Sequence, residues 1–195
     1  MNRRLRLGLL CLGVVIGVTA MSWSVATANF RLVKLDRHPR LNEIFAAIEG
    51  DEARAMAVRY LASESNRAMF SFYGPVQLVA ALLGVLLLKG QGRPRPVRRL
   101  LSRVRALLPW VLVLGALVTM ALVPPIVEQG RAIDFLSRAS GDPPEVQRFK
   151  VVHVAYILVD MLKLGSALML AVFAWLAPSV SQDEERSPGT GLGFF

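Results

Sequence analysis

Cysteine is almost absent from this sequence: Cys11 is the only one, so the chain holds no internal disulfide. Histidine is nearly as scarce, with His38 and His153 alone. Neither is accompanied by a Cys pair, an H-E-x-x-H motif or a ligand-spaced carboxylate cluster. Nothing in the sequence therefore builds a metal centre, and neither a metal nor another cofactor is expected. There is no internal repeat. Acid is missing from two stretches: the start, which carries Arg3, Arg4 and Arg6, and residues 89–105, which carry seven Lys/Arg.

Apolar residues are abundant, at 54% of 195 residues with a mean hydropathy of +0.47, against about 45–50% apolar in a soluble domain. The excess falls in four blocks, near 7–28, 68–88, 106–127 and 151–177. Each is long enough to cross a hydrocarbon core about 30 Å thick, which takes roughly 20 helical residues. Helix satisfies its own backbone in lipid, so all four read as helices. The fold class is an all-α bundle of four transmembrane helices, a single membrane domain over 1–178. The tail, 179–195, has the composition of a disordered cytoplasmic segment.

The first block has a rival reading. An Arg-rich start and Ala26-Thr27-Ala28 resemble a secretory signal with its cleavage site, although the apolar stretch is longer than the roughly 7–15 residues of a signal core.

The net charge is +9. The charges lie between the apolar blocks, which makes them topology signals, and nucleic acid is not an expected partner. Residues 28–67 carry seven bases diluted by six acids, and 128–150 carry four of each. The acid-free 89–105 loop belongs in the cytoplasm, giving an N-in, C-in chain with two external loops, most simply in a bacterial inner membrane. Membrane lipid is the expected partner, with homo-oligomerisation or a membrane complex left open. Arg98, Arg99, Arg103 and Arg105 suit anionic headgroups, and Trp110 and Trp175 sit where interface anchors belong. In the first external loop, Leu41, Ile44, Phe45 and Ile48, then Met56, Tyr60 and Leu61, recur at helical spacing and predict short amphipathic helices. Gly74-Pro75 predicts a kink in the second helix and Pro124-Pro125 an end to the third. Gly13-x-x-x-Gly17 suits close helix approach or dimerisation.

Ionisable residues inside a span are costly and point to function. Asp160 and Lys163 lie well inside the fourth block, three apart and so neighbours on one face. At 1.5 Å per residue Asp160 is roughly 14 Å from the external end. His153 and Tyr156 join them in a stripe about 80° wide, by the helical period. Counting inward from each external end, Gln77, Thr19, Thr119 and Asp160 fall at about the same depth, with Tyr73 on the same face as Gln77. The expected result is a polar layer near the midplane. It serves either as a proton or solute site or as a lock between helices, since polar contacts in membranes supply only about 0.6–2 kcal/mol. Beyond the third block, Arg131 and Asp134 are three apart and could pair as an external gate.

The four blocks, the proline-ended third helix and Phe149-x-x-x-His153 resemble the transmembrane protein 205-like family of small membrane proteins. The likeness covers about 13–170, with Phe30, Pro124, Phe149 and His153 as the matching residues. It implies fold and topology and supplies no reaction. The Asp160/Lys163 pair and the 130–135 segment lie outside the family's pattern. Three functions compete. They are a small transporter or permeability factor built on the Asp160 layer, an enzyme using His153, Tyr156 and Asp160 as acid–base groups, and a structural subunit of a larger complex.

Overall fold

A computed structural model of the chain describes residues 2–32, 43–89, 99–134 and 143–176. Leu41, the prolines at 94 and 96, Arg98, Phe135 and the 179–195 tail lie outside them. Among the described residues there are four long helices and no strand: α1 (Arg3–Leu32), α2 (Asp51–Leu88), α3 (Arg99–Asp134) and α4 (Pro144–Leu176). All four are long and apolar enough to cross a membrane, which is compatible with an integral membrane protein.

The helices are longer than the apolar blocks inside them. α2 has 38 residues, about 57 Å at 1.5 Å per residue, against roughly 30 Å of hydrocarbon. The residues around Met56, Tyr60 and Leu61, predicted as part of a separate loop helix, are instead the first turns of α2. No breaker stands between them and the apolar block, and Asp51 and Glu52 favour a helix start there. Gly50 supplies the turn into α2 with φ +89, a region that L side chains rarely adopt. Ahead of it, Glu43 and Ile44 are helical and Phe45 to Gly50 makes turns and bends, with Ile48 N–H donating to Phe45 O at 3.0 Å.

Proline does not end α3. The helix runs through Pro109, Pro124 and Pro125 to Asp134, and α2 runs through Pro75. Each internal proline removes one helix hydrogen bond, but leaving the helix in lipid would strand many more backbone groups. α4 likewise begins earlier than its apolar block, at Pro144, a residue suited to a first helical turn.

The bundle is antiparallel in sequence order. Gly8 meets Leu88, Thr19 meets Gln77 and Asn29 meets Asn66, so α2 runs back along α1. Gly74 meets Met120, and Gly115 and Gly130 meet Lys163 and Phe149. Trp23 meets Asp160, closing α1 onto α4. Gly84 lies against Cys11 and Leu12 of α1, at ordinary van der Waals distance from where a Cβ would stand. Gly13 and Gly17 have nothing within 4 Å, so they set no helix spacing inside this chain.

Burial is the reverse of a soluble protein. Leu10, Phe72, Val79, Leu86, Val154 and Leu162 are more than half exposed, while Thr19, Gln77, Thr119, Asp160, Lys163 and Ser166 are buried. In water such an apolar exterior would drive association; facing lipid, it is the low-energy arrangement. Trp110 and Trp175 are on that exterior. The inner contacts of one half of the bundle are apolar, centred on Leu12, Val15, Ala81, Leu112, Ala116 and Ala167. The other half holds the polar groups.

Candidate functional site

The buried polar groups form two layers with a cavity between them. The lower layer centres on Lys163 and Asp160, which are 0% and 1% exposed. Lys163 Nζ donates to Asp160 Oδ1 and to Gln77 Oε1. Gln77 Nε2 donates to Thr19 Oγ1 at 3.2 Å, and Thr19 donates to Val15 O at 2.8 Å. Trp23 Nε1 donates to Asp160 Oδ2 at 2.7 Å. Three helices thus meet through α4's charged pair. Gly115 lets α3 close over it, with the position of a Cβ there only 3.2 Å from Lys163 Cβ. Both carboxylate oxygens have donors, and the ammonium has two acceptors, as burial of a charge pair requires.

Not every residue expected in this layer joins it. Thr119 is buried at the expected depth but donates to Gly115 O and Ala116 O of its own helix. Tyr73 is not in the layer: its hydroxyl lies 3.8 Å from Met21 Sδ at the exposed rim of α1 and α2. Four residues from Gln77 along a helix is a rotation of about 40°, and the long ring carries its hydroxyl outward. Along the α4 stripe, Asp160 and Lys163 sit in the buried layer, while His153 and Tyr156 line the cavity above it.

The upper layer is a chain of ion pairs between α2 and α3. Arg67 Nη2 binds Asp134 Oδ2 at 2.6 Å with both side chains buried, and Arg67 Nη1 binds Glu64 Oε1 at 2.7 Å. Arg131, more exposed, binds Glu64 at 3.1 Å. Arg131 and Asp134, expected to pair with each other, each take their partner from α2 instead. The reason is that α3 continues as a helix and lies alongside α2 there. Asn29 Nδ2 donates to Asn66 Oδ1 at 2.7 Å, tying α1 to the same end.

The cavity between the layers has a volume of about 370 Å³ and touches all four helices. Trp23 is at its floor; Arg67 and Gly130 are at its upper end. Gly130 lets the Arg67 guanidinium pack close to α3: a Cβ there would lie 3.1 Å from Arg67 Nη2. The walls are aromatic and aliphatic. Phe149 stacks on His153 with ring centroids 5.5 Å apart, and Phe70 meets Tyr156 edge-on at 5.6 Å. His153 Nδ1 is buried and has no hydrogen-bond partner. Gln129 Oε1 is in the same condition but is not among the cavity residues. Among the described residues, no three His, Cys, Asp or Glu side chains are grouped to hold a metal ion.

At the opposite end, Arg99 opens α3, Arg103 is exposed and Arg105 lines an apolar groove of about 450 Å³ with Lys89 and Trp110. Arg98 lies outside the described residues.

The sequence reading missed Trp23, Arg67 and Glu64. Trp23 is four residues after Thr19, which puts it on the same helix face, and the indole N–H needs an acceptor when buried. Arg67 and Glu64 stand just outside the second apolar block, where charges read as loop residues.

No protein-family model, curated protein or solved structure matched the chain in the comparisons made.

Proposed function

We propose that the chain is a multi-pass membrane protein that takes a small solute into the half-bundle cavity, as the binding step of a small transporter or permeability factor. The observation that carries this reading is the cavity itself, lined by all four helices and ending on Trp23. Beneath it the Lys163–Asp160–Gln77 network is fully paired and serves as the barrier, in its locking role. The basic 89–105 segment supports a topology with both termini in the cytoplasm, so the cavity faces the external half of the membrane. Kinship with the transmembrane protein 205-like family is part of this proposal and rests on Phe30, Pro124, Phe149 and His153.

The test uses Trp23 as its own reporter. With Trp110→Phe and Trp175→Phe, Trp23 is the only indole left. In proteoliposomes, acrylamide added outside should quench its emission, and Ala26→Phe, which fills space beside it, should cut that quenching severalfold. Emission from Trp23 that resists acrylamide would overturn the reading.

A further inference from the structure

The groove at the opposite end of the bundle has the polarity of a phospholipid. It holds about 450 Å³ between α2, α3 and α4. Its floor is apolar and buried at Leu170 and Ala174, and Leu86 and Trp110 stand more than half exposed on its outer rim. The short side chains of Ala106, Pro109 and Ala174 leave the trough that longer ones would fill.

The charged residues among its described lining are Lys89 and Arg105, and the antiparallel register puts them at one level. Gly74 of α2 faces Met120 of α3. Lys89 is fifteen residues further along α2, and Arg105 is fifteen residues back along α3. From that level the groove runs inward past Leu86 to Leu82 on α2, and past Pro109 to Val113 on α3. Seven to eight residues of helix make about 10–12 Å at 1.5 Å per residue. That depth fits within one leaflet of a hydrocarbon core about 30 Å thick.

Apolar walls alone accept any lipid tail; the two cations select the head. Lys and Arg hold phosphate oxygens through charge-assisted hydrogen bonds. Residues 89–105, which join the two positions, carry seven Lys/Arg and no acid. Each basic residue near the surface favours an anionic headgroup over a zwitterionic one by about fivefold.

We propose that this groove binds an anionic phospholipid, its phosphate at Lys89 and Arg105 and an acyl chain along Leu82, Leu86, Trp110 and Val113. The site lies at the other end of the bundle from the Trp23 cavity and does not depend on what that cavity holds. Under the proposed topology it belongs to the cytoplasmic leaflet.

Trp110 reports on the groove directly. The Trp175→Phe chain is reconstituted in phosphatidylcholine vesicles containing rising fractions of phosphatidylglycerol or phosphatidylcholine with brominated acyl chains, which quench an indole on contact. Trp110→Phe in the same background gives the Trp23 emission to subtract. Brominated phosphatidylglycerol should quench Trp110 saturably, at a fraction about 25-fold lower than brominated phosphatidylcholine requires, the product of two basic residues. Lys89→Gln should cut that preference about fivefold, and Lys89→Gln/Arg105→Gln should abolish it. Ala106→Phe, at an exposed position, fills the groove while keeping both cations, and should remove the saturable component. The comparison of the two lipids with Lys89 and Arg105 in place needs no groove variant. Equal quenching by the two lipids overturns the proposal. A preference that survives the double variant also overturns it, because the attraction then belongs to the basic segment at large. Saturable quenching that survives Ala106→Phe overturns the acyl seat and with it the site. Quenching by neither lipid means that something other than lipid covers the groove, which overturns it as well.

Discussion

Trp23 on α1 donates its indole N–H to Asp160 on α4 at 2.7 Å, and this bond is both the floor of the cavity and the link that closes the bundle. The acceptor is a carboxylate already engaged by Lys163, so the bond is charge-assisted, a class worth about 1.5–3 kcal/mol. Trp23→Phe keeps most of the ring and removes the donor. It should lower thermal stability in detergent by an amount in that range. An unchanged unfolding temperature would mean that the bond does not tie α1 to α4.

Asp160→Asn should be far worse than removing the whole pair. It leaves Lys163 charged and buried, and breaking a buried ion pair costs about 3–5 kcal/mol. Asp160→Asn/Lys163→Gln removes both charges and should regain most of that loss. The check is folded yield and thermal unfolding of the single and double variants side by side. A double variant no better than the single one would show that the charges are not held by each other.

How much of this was legible in the sequence follows from what each residue type can signal. The four helices were, because nothing else hides so many apolar residues in lipid. Thr19, Gln77 and Asp160 were placed at one level by counting along helices, and their side chains do meet through Lys163. The count could not tell a side chain that reaches across from one that bonds to its own helix, as Thr119 does. Helix ends were poorly legible. Pro124 and Pro125 are strong breakers in water and weak ones where unfolding the helix would strand its backbone. Extending α2 and α3 past the apolar blocks turned loop charges into the Glu64–Arg67–Asp134–Arg131 chain. Glu64 and Arg67 are three apart on one helix, but no pattern along the chain reports the α2–α3 pairs, whose partners are 67 residues apart.

Within that chain of charges, the Arg67–Asp134 pair is buried and the Arg131–Glu64 pair is not. A double-mutant cycle with Arg67→Gln and Asp134→Asn should therefore give a coupling energy toward the upper part of the roughly 0.5–3 kcal/mol seen for contacting residues. The Arg131→Gln/Glu64→Gln cycle should give about 0.2–1 kcal/mol, the ordinary value for an exposed pair, and should lose most of it in high salt. Equal couplings would contradict the burial difference.

Glycine substitutions should divide by location. A Cβ at Gly115 meets Lys163 Cβ at 3.2 Å, while one at Gly13 meets nothing within 4 Å. Gly115→Ala should destabilise, because α3 must back away from α4 and overpacking typically costs about 1–3 kcal/mol, more than the roughly 1 kcal/mol gained in helix propensity. Gly13→Ala should be neutral or stabilising. Thermal unfolding of the two variants in the same detergent decides it.

Under the proposed function the cavity is reachable from one side of the membrane and closed beneath by the Trp23–Asp160–Lys163–Gln77 layer. Cys11 is the only cysteine, so Cys11→Ser gives a silent background for thiol labelling. Ile126 lines the cavity, and Ser166 is buried on α4 beyond Lys163. A small membrane-impermeant maleimide added outside sealed vesicles should label the Ile126→Cys variant and leave the Ser166→Cys variant untouched. Equal labelling of the two, or none at Ile126→Cys, would contradict a one-sided cavity closed by that layer.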